Sequence, residues 1–126
     1  MAIILVIEDE PPVLVLAESL LKQAGYLTIA AGRIAEAKPI LDSGQELNAV
    51  FTDISLPDDP EGGLEVGRLA AQRRPGLPVL YTTGHGVTDG MIQQFVKPSA
   101  FLAKPYTGPQ LVTAVADLLR NNQPPR

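Results

Sequence analysis

The sequence contains no cysteine and no tryptophan, and only 5% of its 126 residues are aromatic. Without cysteine the chain cannot form disulfide bonds or thiolate metal sites, and this composition fits a reducing compartment. Histidine occurs once, as His85. Any chemistry of this protein must therefore depend on side chains other than thiols.

Basic residues are also few, since 10 lysines and arginines stand against 14 aspartates and glutamates, for a formal net charge of -4. No basic run occurs, so we expect no direct contact with nucleic acid. Long apolar runs are absent as well. The apolar stretch 2–7 is short, no positive segment precedes it, and three acidic residues end it, which excludes a signal peptide or membrane span. We therefore expect a soluble, cytoplasmic protein without a membrane partner.

Short apolar runs recur along the chain, which is long enough for one domain with a proper core. Several of them are continuously hydrophobic, which is typical of strands buried on both faces of a sheet. The five predicted strands are Ile3–Ile7, Leu27–Ala31, Ala49–Thr52, Pro78–Thr82 and Ala100–Ala103.

Stretches with helical spacing of apolar residues lie between these runs. The clear ones run from Pro11-Pro12 to Gly25, over Ile34–Leu41, from Gly63-Leu64 to Arg73-Arg74, and after Gly108-Pro109. Pro39 should kink or shorten the second of them. The fourth helix, within 87–96, is predicted to be short and mobile because Gly86 and Gly90 lie beside or inside it.

Strand and helix thus alternate five times, which predicts an α/β fold with a doubly wound, five-stranded parallel sheet and helices on both faces. Ligands of such sheets bind beyond the carboxyl ends of the strands. We expect this domain to span residues 1–120. The polar segment 121–126, with its two prolines, is predicted to be a flexible tail.

Charged and polar side chains stand where four of the predicted strands end. They are Glu8, Asp9 and Glu10 after the first strand, Asp53 after the third, Thr83 after the fourth and Lys104 after the fifth. Clustered carboxylates repel one another and favour a hard cation such as Mg²⁺, which prefers oxygen ligands. A lysine and a hydroxyl opposite such a cation would hold the oxygens of a phosphoryl group. One carboxylate would then be placed to attack phosphorus and form an acyl phosphate.

Each of these residues also has a simpler interpretation. The acidic cluster 8–10 could be a solvated helix start favoured by the helix dipole, and Asp53 could cap a turn. Lys104 could be an ordinary surface lysine, and Thr82 could take the place of Thr83 if the strand register is shifted. The order in which these residues occur favours the phosphoryl-transfer site over this set of separate explanations.

In this order the residues resemble the receiver domains of bacterial two-component response regulators, the CheY-like family. The resemblance covers residues 3–119. It depends on the acidic pair Glu8-Asp9, on Asp53 ahead of Leu56-Pro57, on Thr83-Gly84 and on Lys104-Pro105. It implies a flavodoxin-like sheet with strand order 2-1-3-4-5. The chain departs from the family where Pro98-Ser99 replaces a usual Gly-Ala step, so the fourth helix and its loop should differ in shape.

The resemblance implies a role for each site residue. Asp53 would be the phosphoacceptor, and Thr83 and Lys104 would contact the phosphoryl oxygens. The implied ligands of Mg²⁺ are Asp9, Asp53, the backbone carbonyl of Ser55, and Glu8 either directly or through water.

Three further roles follow from the resemblance. Phe101 takes the place of the family's switch aromatic, although it could also be a simple packing residue. His85 and Ser55 border the expected phosphoryl position and are candidates for tuning its hydrolysis, although His85 could equally be an exposed loop residue. The peptide bond between Lys104 and Pro105 is commonly cis in the family.

The implied function is that of a phosphoacceptor in a two-component or phosphorelay system. A histidine kinase or phosphotransfer protein would donate the phosphoryl group, and an unknown downstream protein would bind the face made by the fourth helix, fifth strand and fifth helix. The chain would undergo Mg²⁺-dependent self-phosphorylation and autodephosphorylation without being a turnover enzyme. We expect a stand-alone regulator, because no output domain follows the fifth helix, and a monomer or weak dimer.

Alternative functions remain open. The chain could be an interaction module that keeps the fold without phosphorylation, or the receiver piece of a hybrid histidine kinase. A flavodoxin-like electron carrier is disfavoured because "EDEPP" after the first strand would repel a flavin phosphate. A phosphatase with an aspartyl nucleophile on the first strand would need Asp-x-Asp there, which Glu8-Asp9-Glu10 does not supply.

Overall fold

The computed structural model describes residues 1–121 and contains five strands and five helices within that range. The strands are β1 (Ile3–Ile7), β2 (Leu27–Ala31), β3 (Ala49–Asp53), β4 (Val79–Thr83) and β5 (Ser99–Ala103). The helices are α1 (Pro11–Gln23), α2 (Ile34–Asp42), α3 (Gly62–Arg73), α4 (Asp89–Gln93) and α5 (Gly108–Asn121).

All neighbouring strands pair in parallel, in the order β2-β1-β3-β4-β5. This confirms the predicted fold class and strand order. The central strands β3 and β4 are buried at every position, as expected for strands inside a parallel sheet that is covered on both faces. The chain crosses the sheet between strands through helices, as a parallel arrangement requires.

Two apolar cores cover the two faces of the sheet. One lies under α2 and α3 and includes Leu5, Val50 and Tyr81. The other lies under α1 and α5 and includes Val6 and Phe51. Because neighbouring residues of a strand point to opposite faces, each central strand contributes to both cores.

The helix ends follow local chemistry in several places. Pro11 occupies the first turn of α1, where a missing backbone N–H costs nothing. Gly25 lies just past the end of α1 with φ of 97°, a left-handed conformation that glycine adopts without steric cost. In α4 the Thr88 hydroxyl accepts a hydrogen bond from the Met91 N–H at 3.1 Å and caps a helix of only five residues. The prediction that α4 is short is therefore confirmed.

Some predicted boundaries are wrong. Of the two effects predicted for Pro39, a kink or a shorter helix, shortening does not occur, because α2 continues through Pro39 to Asp42 and buries Ala37 and Leu41 on either side of it. Burial of this face outweighs the proline's unfavourable propensity. Helix α5 extends to Asn121 and so includes the first residue of the predicted tail. The rest of the predicted flexible tail, residues 122–126, lies outside the described residues.

Two predicted strands also end one residue early. Both β3 and β4 end one residue later than predicted and so include Asp53 and Thr83 themselves, and β4 also begins one residue later, at Val79. Within residues 1–121, no helix is long and apolar enough to cross a membrane.

Candidate functional site

The carboxyl ends of the strands surround a cleft of about 290 Å³. Its lining combines acidic, hydroxyl, imidazole and ammonium groups with a few apolar side chains. The residues are Asp9, Glu10, Asp53, Ser55, Leu56, Pro57, Thr83, Gly84, His85 and Lys104. Five of the six strand-end residues singled out in the sequence therefore line one cleft, while the sixth, Glu8, lies buried beside it.

Asp53 is the last residue of β3 and is 6% exposed. Its Oδ1 accepts a hydrogen bond from the Ser55 backbone N–H at 3.3 Å. The backbone just beyond it is held at both sides, since the Ile54 N–H donates to the Thr82 carbonyl oxygen at 2.9 Å and the Gly63 N–H donates to the Ile54 carbonyl oxygen at 2.8 Å. The carboxylate thus projects from a rigid stretch of chain.

Gly63 is a site residue that sequence reasoning used only as a helix start. A Cβ atom at this position would overlap the carbonyl oxygen of Asp53. Glycine therefore allows the first turn of α3 to lie directly against the backbone of the Asp53 strand end. Two consecutive glycines, Gly62 and Gly63, ahead of a helix could have indicated this close approach.

Lys104 joins two carboxylates that lie far apart in the sequence. Its Nζ donates to Glu8 Oε1 at 2.5 Å and to Asp53 Oδ2 at 2.8 Å. Burial alone would lower the pKa of Lys104, but its hydrogen bonds to Asp53 and Glu8 outweigh that effect and raise the pKa above its usual range. Lys104 is therefore fixed in its charged form.

For Glu8, burial has a larger effect on the pKa than the hydrogen bonds have. Burial raises its pKa above the ordinary value, and the hydrogen bonds from Lys104 and from the Glu10 N–H only partly offset this. Glu8 is 4% exposed and shares its only lysine partner in the described chain with Asp53. The single ammonium group thus leaves the negative charge of the cleft incompletely compensated.

The uncompensated negative charge of these carboxylates favours binding of a hard cation. Carboxylate oxygens of Glu8, Asp9 and Asp53 all lie within 4.8 Å of one another. Clustered oxygen ligands with excess negative charge suit Mg²⁺, which binds one or two carboxylates and keeps several waters. The donor set therefore fits this cation.

Thr83 ends β4, is 3% exposed and lines the cleft. Its Oγ1 accepts a hydrogen bond from the His85 N–H at 3.2 Å, which ties the following loop to the strand end. Thr82, the alternative considered above, does not line the cleft. Its hydroxyl is buried and has no hydrogen-bond partner among the described residues.

Phe101 lies away from the cleft, on the edge strand β5. Its side chain is among the exposed apolar ones, at 40% exposure. Among the described residues it pairs in register with Tyr81 of β4 and stacks on Phe95, at a centroid distance of 6.3 Å. Phe101 is thus a predicted site residue that lies outside the cleft and is partly exposed to solvent.

The loop after Asp53 contains a contact with no local sequence signal. Leu56 and Asp59 exchange two backbone hydrogen bonds and close a tight turn with Asp58 at its tip. The Asp58 carboxylate accepts the N–H groups of Ile34 and Ala35, each at 3.2 Å, at the start of α2. Sequence reasoning missed Asp58 because its partners lie 24 and 23 residues away.

The family model of the response regulator receiver domain matches residues 4–116. The chain belongs to this family. A response regulator receiver protein from Sinorhizobium medicae has a similar solved structure, with a TM-score of 0.88, 36% identity and 97% of each chain covered. The response regulator PilR of Pseudomonas aeruginosa is 34% identical over 95% of this chain, and the transcriptional regulatory protein TcrA of Mycobacterium tuberculosis is 34% identical over 98%.

These curated relatives are longer proteins. The chain spans 26% of PilR and 48% of TcrA. Receiver domains are signalling phosphoacceptors that work with histidine kinases or phosphotransfer proteins and bind Mg²⁺ at an acidic pocket. In this chain the acidic pocket corresponds to the cluster of Glu8, Asp9 and Asp53.

Proposed function

We propose that Asp53 accepts a phosphoryl group from the phosphohistidine of a histidine kinase or phosphotransfer protein. The observation that carries the proposal is the shared contact of Lys104 with Asp53 and Glu8 inside an acidic cleft. Asp53 is the carboxylate at the end of a fully buried strand, and its backbone is held in place by Ile54 and Gly63. A preorganised nucleophile of this kind lowers the cost of reaching the attacking geometry.

In the proposed reaction, an oxygen of the Asp53 carboxylate attacks phosphorus and the bond from phosphorus to the donor's imidazole nitrogen breaks. That nitrogen keeps the bonding electron pair, and an acyl phosphate forms on Asp53. Lys104 shifts its hydrogen bonds from Asp53 to the phosphoryl oxygens, and the Thr83 hydroxyl donates to another of them.

Glu8, Asp9, Asp53 and the Ser55 backbone carbonyl are the proposed ligands of Mg²⁺. The cation would supply positive charge that offsets the phosphoryl oxygens and the carboxylates around them. Ser55 and His85 both line the cleft and are proposed to influence the approach of the water that later hydrolyses the acyl phosphate.

The signal is proposed to leave through the face of α4, β5 and α5, where Phe101 is the switch aromatic and a downstream protein binds. We propose that the chain acts as a stand-alone, cytoplasmic regulator, as a monomer or weak dimer without nucleic-acid contact. PilR and TcrA, in contrast, are longer proteins that carry further sequence beyond the matched region.

Acetyl phosphate and Mg²⁺ test the phosphoacceptor directly. Intact-mass spectrometry should show one added phosphoryl group, which hydroxylamine removes as it does from acyl phosphates. Asp53→Asn should abolish the addition completely, because the amide cannot form an acyl phosphate. Asp59→Asn is the matched control, since Asp59 lies in the next loop outside the cleft lining, and it should still be labelled. Labelling of Asp53→Asn would show that another residue is the acceptor.

A further inference from the structure

A row of three aromatic rings connects the buried sheet with the exposed edge strand. Tyr81 is fully buried on β4 and stacks on Phe95, with ring centroids 4.1 Å apart and an angle of 14° between the planes. Phe95 in turn stacks on Phe101 at 6.3 Å and 22°. Phe95 follows α4 in the loop that leads to β5, so it links the sheet to the face proposed to bind a partner.

The inner end of this row is tightly fixed. The Tyr81 hydroxyl accepts the Val96 N–H at 3.1 Å, and this bond attaches the loop before β5 to the sheet. On α3, a Cβ atom at Gly67 would overlap the same hydroxyl oxygen. Tyr81 therefore fills its space completely and cannot turn aside to receive another ring.

Phe101, at the outer end of the row, is less tightly packed than Tyr81. Phe101 is paired in register with Tyr81, and residues 81 and 83 point to the same face of β4. A Phe101 ring that turned from solvent towards Thr83 would therefore pack on the sheet face beside Tyr81. That position is held by the ring of Phe95, 4.1 Å from Tyr81. A close-packed interior cannot hold both rings there at once.

We propose that Phe95 is a second switch residue, which keeps Phe101 outward in the unphosphorylated protein and leaves Tyr81 when Phe101 turns inward. This inference rests on the proposed function, since it concerns how the signal of Asp53 reaches the partner face. Val96 is the next residue along the chain, so the departure of Phe95 also breaks the hydrogen bond to the Tyr81 hydroxyl. The loop between α4 and β5 then moves as one unit.

Few other contacts hold this segment in place: the Arg68 guanidinium donates a hydrogen bond to the Gln94 side chain at 3.1 Å, and part of the segment packs against the core. Helix α4 has five residues, and none of them is buried. The ring stack of Phe95 on Tyr81 and the bond from Val96 are therefore the main contacts that oppose the inward state. Removal of the Phe95 ring should shift the equilibrium between the two states towards the inward one.

The test measures binding of beryllofluoride in the presence of Mg²⁺ to the wild-type chain and to Phe95→Leu. Leucine keeps an apolar side chain but cannot stack. Beryllofluoride imitates the phosphoryl group, so it should bind between about twofold and tenfold more tightly to the variant, the range that corresponds to one aromatic stacking interaction. In the variant without beryllofluoride, the ring resonances of selectively labelled Phe101 should already move towards their beryllofluoride-bound positions.

Two further variants make the result specific. Tyr81→Phe keeps the stack and removes only the hydroxyl, so the Val96 amide should exchange faster with solvent while beryllofluoride affinity rises less than in Phe95→Leu. Ile4→Val removes one buried methyl group on the opposite sheet face, as a control for general loss of stability, and should leave the affinity unchanged.

Each outcome decides one of the two proposals. If the wild-type chain does not bind beryllofluoride, the phosphoacceptor function itself is wrong. If the wild type binds and Phe95→Leu binds equally well or more weakly, Phe95 does not oppose the inward state and the inference about it is overturned.

Discussion

The phosphorylation cleft and the α4–β5 segment are built in opposite ways. Strands β3 and β4, which carry Asp53 and Thr83, are buried at every residue, whereas no residue of β5 is buried and α4 has a single short turn of helix. The cleft is held by charges shared between strands, and the α4–β5 segment by stacked rings and uncharged contacts such as the hydrogen bond from the Val96 N–H to the Tyr81 hydroxyl. A reacting group needs a fixed position, whereas a surface that reports on it needs more than one accessible arrangement.

The boundary between the two regions lies on β4. Tyr81 anchors the aromatic row, and Thr83, two residues further along the same face, ends in the cleft. One strand therefore contacts both the rigid site and the segment proposed to move. This difference predicts that mutations in the two regions will have different physical consequences.

The largest expected effect is that of a mutation in the phosphorylation cleft. In Mg²⁺-free buffer at about pH 7, Lys104→Met should lower the free energy of unfolding by about 2–4 kcal/mol, because it leaves two buried carboxylates without their cation. Millimolar Mg²⁺ should restore more stability to this variant than to the wild type, since it binds the same carboxylates. Urea denaturation with and without Mg²⁺ measures both effects.

Lys38→Met is the control for this prediction, because Lys38 is an exposed residue of α2. It should change stability by less than about 0.5 kcal/mol. Equal destabilisation by the two variants would mean that Lys104 behaves as a surface residue and that charge does not hold the cleft together.

The second prediction concerns the row of aromatic rings that begins at Tyr81. Gly67→Ala should destabilise the chain by about 1–3 kcal/mol, because the added methyl group meets the hydroxyl of a fully buried Tyr81. Tyr81→Phe in the same chain should recover part of that loss, since it removes the atom with the closest overlap. Thermal and urea denaturation of the single and double variants give the coupling between the two sites.

Gly90→Ala is a matched control within α4, where a Cβ atom would meet only the Thr88 hydroxyl oxygen at 3.8 Å. It should leave stability unchanged or raise it slightly, as expected for alanine in an exposed helix. A stable Gly67→Ala protein with unaltered amide exchange at Val96 would show that the row of rings is loosely packed.

The smallest expected effect concerns the loop that joins the cleft to α2. Slight burial raises the pKa of Asp58, but the N–H groups of Ile34 and Ala35 outweigh this and hold the pKa below its ordinary value of 3.8. A lowered folded-state pKa means that this contribution to stability is complete above the unfolded-state pKa. It disappears as the pH falls through the lower, folded-state pKa.

Wild type should therefore exceed Asp58→Asn in stability at neutral pH, and the difference should shrink in acid below about pH 4. Urea denaturation of both proteins over this range measures the difference. Glu46→Gln, a change at an exposed carboxylate, should show no such trend. A difference between wild type and Asp58→Asn that stays constant into acid would mean that the ionised carboxylate does not cap α2.

Much of the fold could be predicted from local patterns. The short, mostly apolar runs of β3 and β4 indicated buried strands, and Gly86 and Gly90 indicated a weak fourth helix. The boundaries were less predictable, because Pro39 remains in α2 through packing of that helix on the sheet. Local propensity is a weak term that burial of an apolar face can outweigh.

In the candidate site, too, some features could be predicted from local sequence and others could not. The position of Asp53, Thr83 and Lys104 at strand ends follows from short stretches of sequence, and a parallel sheet brings all carboxyl ends of its strands to one edge. A residue that directly follows a strand lies at the end of that strand, and this placement depends only on neighbouring residues in the sequence. The sequence by itself therefore determined which chemical groups face the cleft.

Only the tertiary structure decided how those groups pair. Lys104 meets Glu8 across 96 residues and Asp53 across 51, Asp58 caps a helix that precedes it by more than 20 residues, and Phe95 fills the space beside Tyr81. These contacts depend on strand order, side-chain direction and the filling of a close-packed interior. No local pattern encodes them, because each partner is selected by the space and charge that the rest of the fold leaves available.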